Sequence, residues 1–333
     1  MWRKHFDAGL WSKEFRQVRM MLGAMLVLGF SAFPLTRMGR WWFRSAERMT
    51  REIDGMKSYG LSTYSEIDNM FQMLTLIMCI LAVILSVWQI GYERRAGIQE
   101  FTFSLPYSRK NIYTTKWLLG VSFIVTAALI SILIDVIVIV SSPLAPYMEW
   151  FEYLKAIGLL LLLVISSYTG SLFIGAVAGS WSTQIIFTGI MLVLPIYMDM
   201  MLRAPIQAFH IPLYTNRGDV QPSISYLLVD PIMNDPILLG ISLILLIIVF
   251  FIGGMFTYER NRVENNGKLV NNPAWEKVLI IGVVICCGLL GGYIAYYKIK
   301  AGHHMIGYIV GFLLASAIGY FIMKILTRLR LKR

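Results

Sequence analysis

Long apolar runs alternate along the chain with short polar stretches. Eight runs come close to or exceed the roughly 20 residues that a bilayer-spanning helix needs: 20–36, 70–91, 117–141, 156–180, 183–198, 237–257, 278–297 and 305–323. One charged residue, Asp135, lies inside them. The pattern predicts an all-α, polytopic membrane protein with about eight transmembrane helices. Only Trp181 and Ser182 separate the fourth run from the fifth, which predicts a tight hairpin or one broken helix. The first run follows a long charged segment, and Pro34, Thr36 and Arg37 stand where a cleavage site would be. It is therefore expected to be a membrane helix and not a cleaved signal.

Composition agrees with this pattern. Of 333 residues, 57% are hydrophobic and 15% charged, and the mean hydropathy is +0.65. A soluble domain carries about a quarter charged residues. Cys79, Cys286 and Cys287 all fall in apolar runs, so no disulfide framework is expected. With the N-terminus placed in the cytoplasm, 19 of the 30 Lys and Arg residues fall on the inner side. Residues 37–69 run against this bias, with six basic residues partly balanced by five acids. The expected topology has both termini cytoplasmic. The net charge of +11 then anchors the chain to anionic lipid. No nucleic-acid partner is expected, because the basic residues flank the spans.

The polar segments define the organisation. Residues 1–19 form an amphipathic N-terminal segment, in which Leu10, Trp11, Phe15 and Val18 recur near helical spacing among Lys13, Glu14 and Arg16. An interfacial helix accounts for that pattern. In residues 92–116, Ile98, Phe101 and Leu105 make one stripe of a short helix. Pro106 stops it, and Ser108 can cap a new helix leading into the third span. Such a stripe at the membrane face must be covered by lipid, by the chain's own loops or by a partner. Residues 202–236 hold five of the eleven prolines; broken half-helices or an ordinary structured loop would both fit. Residues 258–277 form a polar link to a two-span hairpin and basic tail, 278–333. There Gly288/Gly292 and Gly307/Gly311 have the spacing that lets helices approach closely.

Catalytic signatures are absent. No G-x-x-x-x-G-K-[ST] nucleotide loop occurs, and neither H-E-x-x-H nor a Cys/His metal spacing appears. His303 and His304 share a short turn and read as surface residues. Asp135 is an intramembrane carboxylate, hence a candidate polar site. It lies six residues before Ser141, near the outer end of its span, so it could equally reach the interface or bond a neighbouring helix. No second charge lies in a span to complete a proton relay.

The order Glu93, Gly97, Glu100, Leu105-Pro106, Ser108-Arg109, Ile112, Lys116, placed directly after the second run, resembles the cytoplasmic coupling segment of permease subunits in the type 2 ATP-binding-cassette (ABC) exporter family. Lys13-Glu14-Phe15-Arg16 is similar to that family's amphipathic first helix, and residues 20–257 to its six-helix core. The last two runs look like the added pair of longer bacterial members. The resemblance implies a permease subunit that moves substrate outward, as an exporter, using ATP hydrolysed by separate cytoplasmic ABC ATPase subunits, with no enzyme activity or cofactor of its own. ATP and Mg2+ would sit on the partner. A second permease subunit, identical or different, would complete the assembly in the cell membrane. Gly97, Ile98, Glu100, Phe101, Leu105, Pro106, Ser108 and Arg109 would form the coupling surface, with Phe101 as its anchor. Glu93 and Arg94 would pair with the first helix around Glu14 and Arg16. The alternative class is a self-sufficient, ion-coupled secondary transporter or channel, which would need mid-membrane coupling residues and repeat-related broken spans.

Overall fold

The computed structural model describes residues 8–59, 64–143, 145–209, 236–298 and 304–327. Among them every extended element is helical, and the one β-type feature is an isolated antiparallel bridge between Ala178 and Val270. The helices are α1 (Ala8–Ala32), α2 (Pro34–Trp41), α3 (Ala46–Tyr59), α4 (Tyr64–Ser86), α5 (Glu93–Arg95), α6 (Ile98–Ser104), α7 (Arg109–Val140), α8 (Trp150–Val177), α9 (Trp181–Ala208), α10 (Pro236–Glu259), α11 (Pro273–Lys298) and α12 (His304–Leu326). A wider π turn, Val87–Tyr92, joins α4 to α5. Seven described helical stretches are long and apolar enough to cross a membrane; α9 supplies a shorter apolar helix, Trp181–Leu194. The eight expected runs therefore appear as seven full candidates and this shorter one. The expected half-helices of 202–236 fall outside the described residues beyond Phe209.

The helices form two compact units. The first comprises Met1–Gln89, Pro106–Leu172 and Pro236–Met255. Here α1 packs against α4 and α7, and α2 packs against α7. Pro34 sits at the start of α2, where its missing N–H costs nothing. Helix α1 is continuous from the polar N-terminal segment into the first apolar run. Its buried stripe is Leu10, Glu14 and Val18, at intervals of four, while Phe15 stays partly exposed. The expected surface helix with Glu14 on its polar side is thus corrected: Glu14 is fully buried. The reason is a partner on α7. Lys116 Nζ lies 2.6 Å from Glu14 Oε2, and both side chains are sealed from solvent.

The second unit comprises Ile90–Leu105, Phe173–Asp235 and Phe256–Arg333. Helices α11 and α12 form a close antiparallel hairpin, which α9 also contacts. The closest approach is between Gly291 and Gly311. A Cβ at either would run into the other's carbonyl, and also into Ala315 or Ala295. The glycine spacing in the sequence does mark this interface, with Gly288 facing Phe312 and Ser316 and Gly292 facing Tyr308. Gly291, outside the expected set, is the pivotal residue. Tyr197 of α9 donates to the Cys286 carbonyl at 2.5 Å, and Phe209 meets the Tyr308 ring edge-on, 5.9 Å between centroids.

Candidate coupling site

The segment after the second span turns sharply at Gly97, whose φ of 72° suits glycine and strains any other residue. Helix α6 follows, seven residues long. Leu105 is already extended, and Pro106 prevents continuation. Ser108 then caps α7, accepting a hydrogen bond from the Asn111 N–H at 3.2 Å. The short helix, the break and the re-start agree with the expectation from sequence. The segment divides after Leu105: α6 belongs to the second unit, and the capped start of α7 to the first.

Helix α6 buries the face that composition would leave outside. Gln99 and Thr102 are buried, while Glu100 and Phe101 are exposed, Phe101 by 62%. Ile98 and Leu105 are half-buried, so the expected stripe is not one continuous apolar face: Leu105 lies past the helix end, and Phe101 projects alone. Gly97, Pro106 and Ser108 are exposed, and Arg109 is half-buried. Phe103 anchors α6 from behind, edge-on to Tyr258 at 5.5 Å.

Arg94 explains the buried polar face. It is 6% exposed. Its Nη1 donates to the carbonyls of Gly175, at 3.3 Å, and Ala178, and its Nε donates to Gln99 Oε1 at 3.2 Å. The last carbonyls of a helix lack intrahelical donors and carry partial negative charge. Arg94 therefore caps the C-terminus of α8 and fixes α6 by the same side chain. Arg95 lies over the Trp181 ring at 4.7 Å, where α9 begins. Ser180 and Thr183 exchange hydrogen bonds around that start, a reciprocal cap of 3.1 and 3.2 Å.

Arg94 therefore takes partners other than the expected Glu14 and Arg16. Arg94 takes backbone carbonyls and Gln99; Glu14 takes Lys116 and, at 2.9 Å, Lys13; Arg16 is exposed and bonds Ser12. Glu93 is buried. Next to the Glu14–Lys116 pair, Gln89 donates to the Lys116 carbonyl at 3.1 Å, and Tyr168 Oη lies 2.6 Å from Gln89 Oε1.

Asp135 does bond neighbouring helices, as one reading of the sequence allowed. It is fully buried, 2.5 Å from Arg37 Nε and accepting from Tyr153 Oη at 2.8 Å. Arg37 was expected in an outer loop; instead α2 carries it into the first unit, 1% exposed. The carboxylate thus ties α2, α7 and α8 together. Among the described residues no group of three or more His, Cys, Asp or Glu could hold a metal. His304 Nδ1 lies 3.0 Å from the Tyr296 carbonyl, and His303 is outside the described residues.

A model of the ABC-2 family transporter protein matches residues 59–229, just over half of the chain, including the whole of α6 and its flanks.

The chain belongs to the ABC-2 transporter family.

Two curated proteins of Bacillus subtilis (strain 168) are similar to it. "Probable ABC transporter permease YtrD" is 25% identical over 331 residues, covering 95% of this chain and 96% of that protein. "Probable ABC transporter permease YtrC" is 29% identical over 248 residues, covering 68% and 71%. The likeness to YtrD runs well beyond the family match, into the region of α10 to α12. No solved structure matches the chain. The ABC-2 chain is a multi-pass membrane protein and a permease subunit of an ABC transporter, a transport subunit that works with an ATPase subunit.

Sequence reasoning missed Gln99, Lys116 as the partner of Glu14, and the receiving carbonyls of α8. Gly179-Ser180 followed by Thr183 was a legible helix-start signal. The Arg94 cap left no signal, because its acceptors are main-chain atoms.

Proposed function

We propose that this chain is the translocating subunit of an exporter whose nucleotide chemistry resides wholly on separate cytoplasmic ATPase subunits, which dock on α6. ATP and Mg2+ bind there and not on this chain. Two permease subunits, identical or different, complete the assembly in the cell membrane, each with both termini in the cytoplasm. Phe101 is the central anchor of the docking surface, flanked by Glu100, and Gly97, Ile98, Leu105, Pro106, Ser108 and Arg109 shape the segment around it.

The observation that carries this reading is the inverted burial of α6. A seven-residue helix hides Gln99 and Thr102 and holds a large aromatic ring 62% exposed. Aromatic residues, phenylalanine included, are enriched at protein interfaces, where a few residues carry most of the binding energy. The 19-to-11 basic bias supports the orientation. Asp135 acts as a structural tie, because Arg37 and Tyr153 occupy both of its oxygens.

The test uses the purified full chain in liposomes. Alone it is expected to hydrolyse no ATP and to move no substrate, and gentle capture from native membranes is expected to recover a protein with a nucleotide-binding P-loop. Transport by the lone chain under an ion gradient would contradict the proposal and favour a secondary transporter.

A further inference from the structure

The link between α10 and α11 is bound to the same residues that hold α6. We propose that this link is a positioning strap for α6, so that the terminal helix pair is mechanically joined to the coupling helix; the inference rests on the docking role proposed above for α6.

The link is a built structure. Gly179, in the turn from α8 to α9, donates to the Leu269 carbonyl at 3.2 Å and accepts from the Gly267 N–H at 2.9 Å. Asn271 donates from its backbone to Val177 at 2.9 Å. A side chain at Gly179 would strike the Lys268 backbone. Within the link, Asn265 Nδ2 donates to the Asn271 carbonyl at 2.7 Å, and Lys268 Nζ to Asn265 Oδ1 at 2.7 Å. Gly267 turns it with a φ of 91°.

The strap meets α6 at Gln99. Asn266 Nδ2 donates to Gln99 Oε1 at 3.3 Å, the oxygen that also receives Arg94 Nε. Gln99 is 2% exposed and immediately precedes Glu100 and Phe101. A single carboxamide oxygen therefore joins α5, α6, the cap of α8 and the link. At the other end the connection to α11 is short and stiff. Pro273 begins α11, Trp275 Nε1 donates to Thr257 Oγ1 of α10 at 3.1 Å, and the Trp275 ring meets Phe173 of α8 at 5.3 Å. A push on α6 is thus transmitted through Gln99 and Asn266 to the first turn of α11. Asn266 and Gly179 are positioning residues: neither lies on the exposed side of α6 with Phe101.

The experiment uses the full chain reconstituted with its ATPase subunits, measuring their affinity and the ATP turnover of the complex separately. Asn266→Ala is expected to leave affinity unchanged and to lower turnover by about fivefold, within the range for residues that carry coupling without touching a ligand. Gln99→Glu keeps the acceptor oxygen and is expected to retain turnover. Gly179→Ala, which dislodges the link without substituting any residue of α6, is expected to repeat the Asn266→Ala loss. The double variant Gln99→Ala, Asn266→Ala should be no worse than Gln99→Ala alone, as for two ends of one contact. Native turnover in both Asn266→Ala and Gly179→Ala would overturn the strap. That result, combined with a large loss of affinity in Phe101→Ala, would leave docking on α6 intact; unchanged affinity in Phe101→Ala would remove the docking reading and the strap with it.

Discussion

The two units hold their helices by different chemistry. In the first, full charges are buried and paired: Glu14 with Lys116, and Asp135 with Arg37 and Tyr153. In the second, the Arg94 guanidinium, beside the buried Glu93, bonds main-chain carbonyls, and amides extend the network: Gln99, Asn265 and Asn266. Removing one member of a buried ion pair leaves an isolated charge in a medium of low dielectric, which is strongly unfavourable. A hydrogen bond from a charged group contributes roughly 1.5–3 kcal/mol net, and one between neutral groups roughly 1 kcal/mol. The first kind of contact fixes helices in one arrangement.

Breaking the ionic contacts should therefore have the largest effect. Lys116→Ala, which takes the buried partner from Glu14 and leaves it the partly exposed Lys13, is expected to cost about 3 kcal/mol of stability, the lower end for a broken buried pair. Replacing both members, Glu14→Gln with Lys116→Met, is expected to cost much less, since no unpaired charge remains. Thermal unfolding of detergent-solubilised protein, followed by fluorescence-detected gel filtration, separates the two. Equal losses in the single and double variants would mean that packing, and not charge, holds α1 to α7.

A smaller effect is expected where packing alone acts. Gly291→Val puts a side chain into the Gly311 carbonyl and Ala315, and overpacking of this kind costs about 1–3 kcal/mol. Gly282 lies on the same helix, with nothing within 4 Å of its would-be Cβ. Gly282→Val is therefore the matched control, and its midpoint should stay near native. If the two glycines respond alike, backbone approach at Gly291 is incidental to the hairpin.

The difference between the units also marks what could be read from the sequence. Helix α6, its stop at Pro106 and the Ser108 cap were legible because their causes lie within a few residues of each other. Charge pairing was not. Glu14 and Lys116 are 102 residues apart, and Arg37 and Asp135 are 98 apart. Arg37 follows Pro34, so local rules end the helix there and send the arginine into a loop. The structure resumes the helix as α2 and turns Arg37 inward. The inverted face of α6 was hidden for a related reason. Gln99 and Thr102 look like solvent-facing positions until Arg94 and the link from α10 to α11 supply their surroundings. The glycines of α11 and α12 gave the hairpin, but a fixed four-residue spacing overlooked Gly291, one position from the motif.

In the proposed coupling, α6 is a firmly held mount for one exposed aromatic that a partner engages. Phe101→Ala tests it most directly, with the ATPase subunits' affinity for the reconstituted permease measured beside its thermal midpoint. A residue 62% exposed contributes little to its own fold, so the midpoint should be native. Affinity should fall about thirtyfold, corresponding to roughly 2 kcal/mol for a central interface aromatic. Unchanged affinity with a native midpoint would contradict the claim and leave Phe101 as a ring resting against lipid.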